Sequence, residues 1–307
     1  MKFRTTNSKL IISPKILSDW QKGGIITPTP FVMKKCIRVF SGFRDNKGIS
    51  RIGYIDLDKT DPTKIKFITP RPILDIGEPG NFDDNGMILG DIIYHKKYYY
   101  MFYVGFQIPK KNKFLAFTGI AKSKGGSKFV RLKKTPILDR NNDGSKIRAI
   151  HSVIKKKNKF QFFLGEGDKI IKINNKLYPS YDTKMFEYDN FYFPPDIKSK
   201  KIIYRKNNEY RLGRPSIFKY KNTTNLLFTY DTYQKKYHYG FAKEKNGKFE
   251  RCDKHFIVSR TGKKGDDKMI CYPRFFIGKN NKKFIVYSGN DMGKTGLFLS
   301  EVIIINS

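Results

Sequence analysis

One phrase recurs five times along this chain at a period of about 60 residues. Each copy opens on a short apolar run: Pro30-Phe31-Val32, Gly90-Asp91-Ile92-Ile93, His151-Ser152-Val153-Ile154, Pro215-Ser216-Ile217-Phe218 and Pro273-Arg274-Phe275-Phe276. The anchors Pro30, Gly90, His151, Pro215 and Pro273 lie 60, 61, 64 and 58 residues apart. A second apolar run follows each anchor, at Val39–Gly42, Phe102–Gly105, Phe162–Gly165, Leu227–Tyr230 and Val286–Gly289. Four copies add a third run, at Arg51–Tyr54, Thr118–Ala121, Tyr239–Ala242 and Thr295–Phe298. The tetrapeptide Pro-Ile-Leu-Asp closes two copies, at 72–75 and 136–139. Three or four strands per unit, with several units in series, is the pattern of a β-propeller. The expected fold is all-β, a five-bladed β-propeller of about 60 residues per blade, forming one domain over 1–307.

The runs read as strands because they are short, rich in Ile, Val, Phe and Tyr, and broken by Gly, Asn, Asp and Lys. No stretch of a dozen residues keeps the spacing of an amphipathic helix. The third copy lacks the glycine-containing third run. Tyr181–Tyr188 fills that slot, with Lys201–Tyr204 as the outer strand and a loop near Phe191–Asp196.

No run of 18 apolar residues occurs, so no transmembrane helix is expected. The apolar Leu10–Ile12 is too short for a signal-peptide core. Cys36, Cys252 and Cys271 are odd in number and widely spaced, which suits a reducing, cytoplasmic compartment and suggests neither a metal site nor a cofactor. The net charge of +35 invites a nucleic-acid reading. The lysines, however, fall in one slot of all five copies: Lys34-Lys35, Lys96-Lys97, Lys155–Lys159, Lys219–Lys221 and Lys279–Lys283. That slot is the turn between first and second strands, so the charge reads as a solvated rim of hairpin tips, with polyanion or membrane-surface contact as the alternative. No specific nucleic-acid partner is expected.

Phe82-Asp83-Asp84-Asn85-Gly86, followed by a strand and Tyr99–Gly105, resembles the second blade of the five-bladed propellers related to glycoside hydrolase family 43, in a bacterial branch associated with surface-polysaccharide genes. Gly213–Ile217 resembles that branch's fourth blade. Met269–Pro273, Tyr287–Asn290 and Gly293–Gly296 resemble its fifth. The similarity runs from about Thr29 to Glu301.

The resemblance implies a glycoside hydrolase or transglycosylase acting on a glycan or glycan precursor through paired carboxylates in the propeller funnel. The alternative is a non-catalytic propeller that binds a glycan or nucleotide sugar in polysaccharide biosynthesis. Glycosyl cleavage needs two carboxylates flanking the anomeric carbon. The family places them where the innermost strands start. The catalytic candidates at that end are Asp83, Asp84, Glu166 and Asp231. Substrate-binding candidates are Arg44, Asp45, Asn85, His151, Arg214, Tyr272 and Asn290. Each has a structural reading as well: Asp83 or Asp84 as a turn cap, Arg214 as an ion-pair partner, His151 as an inner-wall histidine and Glu166 as a turn residue. The sequence departs from the family where Asp267-Lys268 replaces Ser-Glu, and where Gly23–Pro28 replaces a His-containing segment. If that glutamate is the general acid, Lys268 cannot stand in for it, which keeps the non-catalytic alternative open.

Overall fold

The structure, a computed structural model, describes residues 1–305, the side chain of Asn7 excepted. Strand β1 (Lys2–Ile12) comes first. The first sheet then runs β2 (Gly24–Val32), β3 (Cys36–Arg44), β4 (Ser50–Asp58) and β5 (Ile65–Ile68), hydrogen-bonded in chain order. The second unit is β6 (Met87–His95), β7 (Tyr98–Gln107), β8 (Leu115–Ser123) and β9 (Val130–Arg131). The third is β10 (Ile147–Lys156), β11 (Lys159–Ile173), β12 (Lys176–Tyr188) and β13 (Lys200–Lys201). A short parallel pairing of β10 with β8 joins these two units edge to edge. The fourth sheet is β14 (Glu209–Tyr220), β15 (Thr223–Thr232), β16 (Tyr237–Lys245) and β17 (Lys248–Arg251). After β18 (Phe256–Ile257), the last unit is β19 (Cys271–Ile277), β20 (Lys283–Ser288) and β21 (Leu297–Ile305). Its fourth strand is β1, antiparallel to β21, so the two ends of the described chain share one sheet.

The repeat carries this arrangement. In both Pro-Ile-Leu-Asp copies the leucine forms an isolated antiparallel bridge to the third strand of its unit, Leu74 to Ile52 and Leu138 to Thr118. One local detail differs from the expectation. The outer strand of the third unit is Lys200–Lys201 rather than 201–204, because β11 and β12 run on past the sheet as a long hairpin. The expected loop near Phe191–Asp196 is present and packs inward: Phe191 is buried, with its ring 4.8 Å from Phe160 and 5.4 Å from Phe102.

Aromatic packing fills the space between sheets. Fully buried Phe3 of β1 meets Phe218, Phe241, Phe256 and Phe275 at ring-centroid distances of 5.3–6.1 Å. Burying one such side chain contributes about 1.5–3 kcal/mol, which ties β1 to the last two units. The innermost strands touch in succession, β2 to β6 to β10 to β14 to β19, and β19 also touches β2.

All five inner strands carry a register break at the same level: Ile26/Thr29, Leu89/Asp91, Ile150/Ser152, Gly213/Ser216 and Cys271/Arg274. A bulge re-aims a side chain and bends its strand. Four of the sequence anchors fall in these bulges and Pro30 just past its own, whereas the strand starts lie earlier because the ladder continues across each bulge. Three of the bulged residues take left-handed backbone conformations: Thr27 (φ 51), Arg214 (φ 51) and Tyr272 (φ 54). Such conformations are costly for residues with a Cβ and gather at functional sites. In the second unit the position is Gly90, where a Cβ would stand 2.3 Å from the Ile150 carbonyl oxygen.

Candidate functional site

The bulges turn polar residues from three of the sheets, His151, Arg214 and Tyr272, toward one shared space. Above them opens a cavity of about 400 Å³. Its walls come from the first residues of inner strands (Ile26, Ile88, Ile147) and the last residues of second strands (Arg44, Phe106, Asp231). The lysine hairpins sit at the opposite ends of the same strands.

At its floor, His151 and Arg214 are both buried. The Arg214 guanidinium donates to the Leu89 and Thr27 carbonyls, to Thr29 Oγ1 (3.4 Å) and to His151 Nδ1 (3.1 Å). An arginine can only donate, so Nδ1 accepts and the proton of neutral His151 sits on Nε2. Below lies a second buried arginine, Arg274. It donates to the Gly90 and His151 carbonyls and pairs with Asp91 at 3.5 Å. Asp91 is already engaged, since Oδ2 accepts from the Val153 N–H at 2.7 Å. Asp91 thus pairs with Arg274, and Arg214 has no carboxylate within ion-pair distance among the described residues. Burial, then the charge of Arg274, pushes the proton affinity of Arg214 below that of an ordinary arginine. Burial, then Arg214 and Arg274, holds His151 well below its usual 6.5.

The His151 shift makes a stability prediction. In the unfolded chain the imidazole protonates below about 6.5, while in the folded protein it stays neutral, so acid favours unfolding. The stabilising effect is complete above pH 6.5 and is lost as pH falls toward the folded value. Denaturant titrations should show wild-type stability falling relative to His151→Gln by up to about 1.4 kcal/mol per pH unit below 6.5. Parallel pH profiles for the two proteins would contradict a buried neutral histidine.

On the side wall, Arg211 and Asp231 form a pair at 2.5 Å across β14 and β15. Arg44 donates to the Met292 carbonyl, and its buried Nε has no partner. Tyr272 lies under Arg214, 5.9 Å from guanidinium carbon to ring centre, and its hydroxyl contacts Met292 Sδ at 3.3 Å. Tyr181, Tyr230 and Tyr237 complete an aromatic arc. The lining holds four cations, Arg44, Lys113, Arg211 and Arg214, and Asp231 is the one carboxylate among the described residues that line it.

Of the residues singled out in the sequence, Arg44, Asn85, His151, Arg214, Tyr272 and Asp231 meet in this lining. Asp83, Asp84, Glu166, Asp45 and Asn290 are outside it. Asp83 is fully buried against Arg131 (2.8 Å). Asp84 accepts from the Gly80 N–H at 2.8 Å within its own loop. Buried Glu166 accepts from Lys184 (3.2 Å), Ser199 (3.0 Å) and Arg148 (3.5 Å). Asp45 accepts from the Lys47 and Ile49 N–H groups and pairs with Arg51 at 2.9 Å. Asn290 accepts from the Lys268 and Met269 N–H groups, fixing the segment before β19. The sequence reading missed Arg211, Lys113, Tyr181 and Tyr237. Arg211 lies three residues before Arg214 on the same strand and pairs with Asp231 in the neighbouring strand. No cluster of three or more His, Cys, Asp or Glu that could hold a metal occurs among the described residues.

No protein-family model matches the chain. An uncharacterized protein of Mycobacterium tuberculosis, found in two strains, is 29% identical over 133 residues, covering 42% of this chain and 43% of the relative. The match thus spans under half the length of that relative. Among solved structures, a glycosyl hydrolase from Bacteroides ovatus is similar at TM-score 0.69 and 15% identity, covering 98% of this chain and 93% of that one. A thermostable family-43 glycoside hydrolase is similar at TM-score 0.66 and 12% identity, over 95% and 92% of the two chains. An exo-1,5-α-L-arabinanase from a bovine ruminal metagenomic library is similar at TM-score 0.60 and 12% identity, over 91% and 92%. The chain therefore shares the all-β, propeller-type fold of these glycoside hydrolases. No described helix is long and apolar enough to cross a membrane.

Proposed function

We propose that the five units close into one five-bladed propeller domain, and that its axial cavity binds a carbohydrate bearing a carboxylate or phosphate group. The observation that carries this reading is the charge of the lining, four cations against one carboxylate that is itself tied to Arg211. An arginine removed from water without a counter-ion costs several kcal/mol, and an anionic ligand offsets that cost through charge-assisted hydrogen bonds. The tyrosine arc offers faces and hydroxyls to a sugar ring. The described activities of the structural neighbours support carbohydrate as the ligand class.

The binding alternative is the better supported. Cleavage by a carboxylate pair needs a second acid at about 5–10 Å from the first, and Asp83, Asp84 and Glu166 are spent on loop and ion-pair contacts away from the lining. The hydrolase reading keeps Asp231 as its single candidate in the cavity and the fold likeness as its support.

A panel of neutral, uronic-acid and phosphorylated glycans with nucleotide sugars, scored for both binding and turnover, separates the two. Retention of acidic ligands without turnover is the expected result. Turnover that disappears in Asp231→Asn would reassign the protein as a glycosidase, and preference for neutral ligands would refute the anionic reading.

A further inference from the structure

The end of the molecule opposite the cavity carries a different kind of surface. The inner strands are held level with one another: the Leu89 N–H donates to Thr27 Oγ1, Val153 N–H to Asp91, and Ile217 N–H to Ser152 Oγ. From that level each strand runs a few residues further to its hairpin tip, so the five tips emerge together. Neighbouring tips touch, with the His95 ring 5.2 Å from Phe160 and Lys283 Nζ 5.8 Å from the Tyr220 ring centre. The tips hold Lys34, Lys35, Lys96, Lys97, Lys155–Lys157, Lys159, Lys219, Lys221, Lys279, Lys282 and Lys283, with no acidic residue in these segments. Only Lys156 among them makes an ion pair, with Glu187 at 4.0 Å.

Two further features mark these tips. Exposed apolar side chains stand beside the lysines: Val32, Tyr94 and Ile277 are 39%, 55% and 38% exposed. In addition, three of the two-residue loops open with a lysine in the left-handed region: Lys96 (φ 46), Lys157 (φ 55) and Lys221 (φ 50). Loops of this kind favour glycine or asparagine, so lysine occupies positions that backbone energetics disfavour.

We propose that this end docks on the surface of an anionic lipid bilayer. Each lysine near such a surface contributes about 1 kcal/mol. Val32, Tyr94 and Ile277 would enter the headgroup layer while the lysine ammoniums stay at the phosphates. The array favours a bilayer over a nucleic acid: the lysines are spread over five separate tips instead of following a groove, and the aliphatic tips have no counterpart on a phosphate backbone. The cavity then opens away from the lipid.

The test is co-sedimentation of the full chain with phosphatidylcholine vesicles, with and without phosphatidylglycerol, at low and high salt. Binding should need the anionic lipid and weaken with salt. The variant Lys34→Gln/Lys35→Gln/Lys96→Gln/Lys97→Gln should bind at least tenfold more weakly. Lys110→Gln/Lys111→Gln, in the exposed loop by the cavity mouth, should lose no more than about threefold. Val32→Ser/Ile277→Ser should lower vesicle binding and leave heparin binding unchanged. Equal losses in the two lysine variants, an effect of Val32→Ser/Ile277→Ser on heparin alone, or tighter binding to a DNA duplex than to anionic vesicles would each overturn the proposal. Circular dichroism of every variant separates misfolding from lost docking.

Discussion

The Arg214→Met protein is expected to be at least as stable as the wild type and to lose its acidic ligand. Arg214 and Arg274 are both buried, and Asp91 faces Arg274 alone within ion-pair distance. Removing Arg214 deletes an uncompensated buried cation and leaves the strain at φ 51 unchanged, since methionine also carries a Cβ. It also withdraws donors from the Leu89 and Thr27 carbonyls, which costs about 1–2 kcal/mol. The released charge offsets that cost. Loss of a buried charge-assisted contact to ligand costs about 2–5 kcal/mol, a drop in affinity of roughly 30-fold to several thousand-fold. Stability gained with binding lost is the trade-off expected of a residue kept for function. A fall of more than about 3 kcal/mol in unfolding free energy, measured in urea, would instead make Arg214 a structural tie between sheets.

Asp231→Ala should be the most destabilising single change in the cavity. Arg211 is held by Asp231 through both Nε and Nη2 at 2.5 Å, and stands between the Tyr181 and Tyr210 rings at 5.6 and 5.2 Å. Breaking a buried pair from one side costs about 3–5 kcal/mol, while replacing both partners with apolar residues is close to neutral. The double variant Arg211→Met/Asp231→Leu should therefore recover most of the loss. A single-variant loss below about 1 kcal/mol would show that solvent reaches the pair and that its charges do not shape the cavity.

How far the sequence reached follows from what each residue depends on. Strands and lysine hairpins were legible because they repeat, and a repeat places equivalent residues at equivalent heights. That is why His151, Arg214 and Tyr272, all at bulge positions of inner strands, were found and do converge. The bulges themselves were not legible. They depend on how the inner strands pack against one another, and only Gly90 hints at one locally. Strand β1 was missed because Thr5, Thr6 and Ser8 interrupt its apolar alternation, and its partner β21 lies at the far end of the sequence. The carboxylates outside the lining are placed by a related cause. Asp83 finds Arg131 and Glu166 finds Arg148, Lys184 and Ser199 through tertiary contacts that no local pattern announces. Those partners decide the side-chain direction of Asp83 and Glu166.

The central claim is that positive charge in the axial cavity selects an acidic sugar. Calorimetric titration with a glucuronic-acid disaccharide and its neutral glucose counterpart, at low and high ionic strength, tests it directly. The acidic sugar is expected to bind at least tenfold more tightly, equivalent to about 1.4 kcal/mol, with only modest weakening by salt because Arg214 is buried and Arg44 and Arg211 are partly so. Equal affinity for the two sugars, or tighter binding of the neutral one, would contradict it.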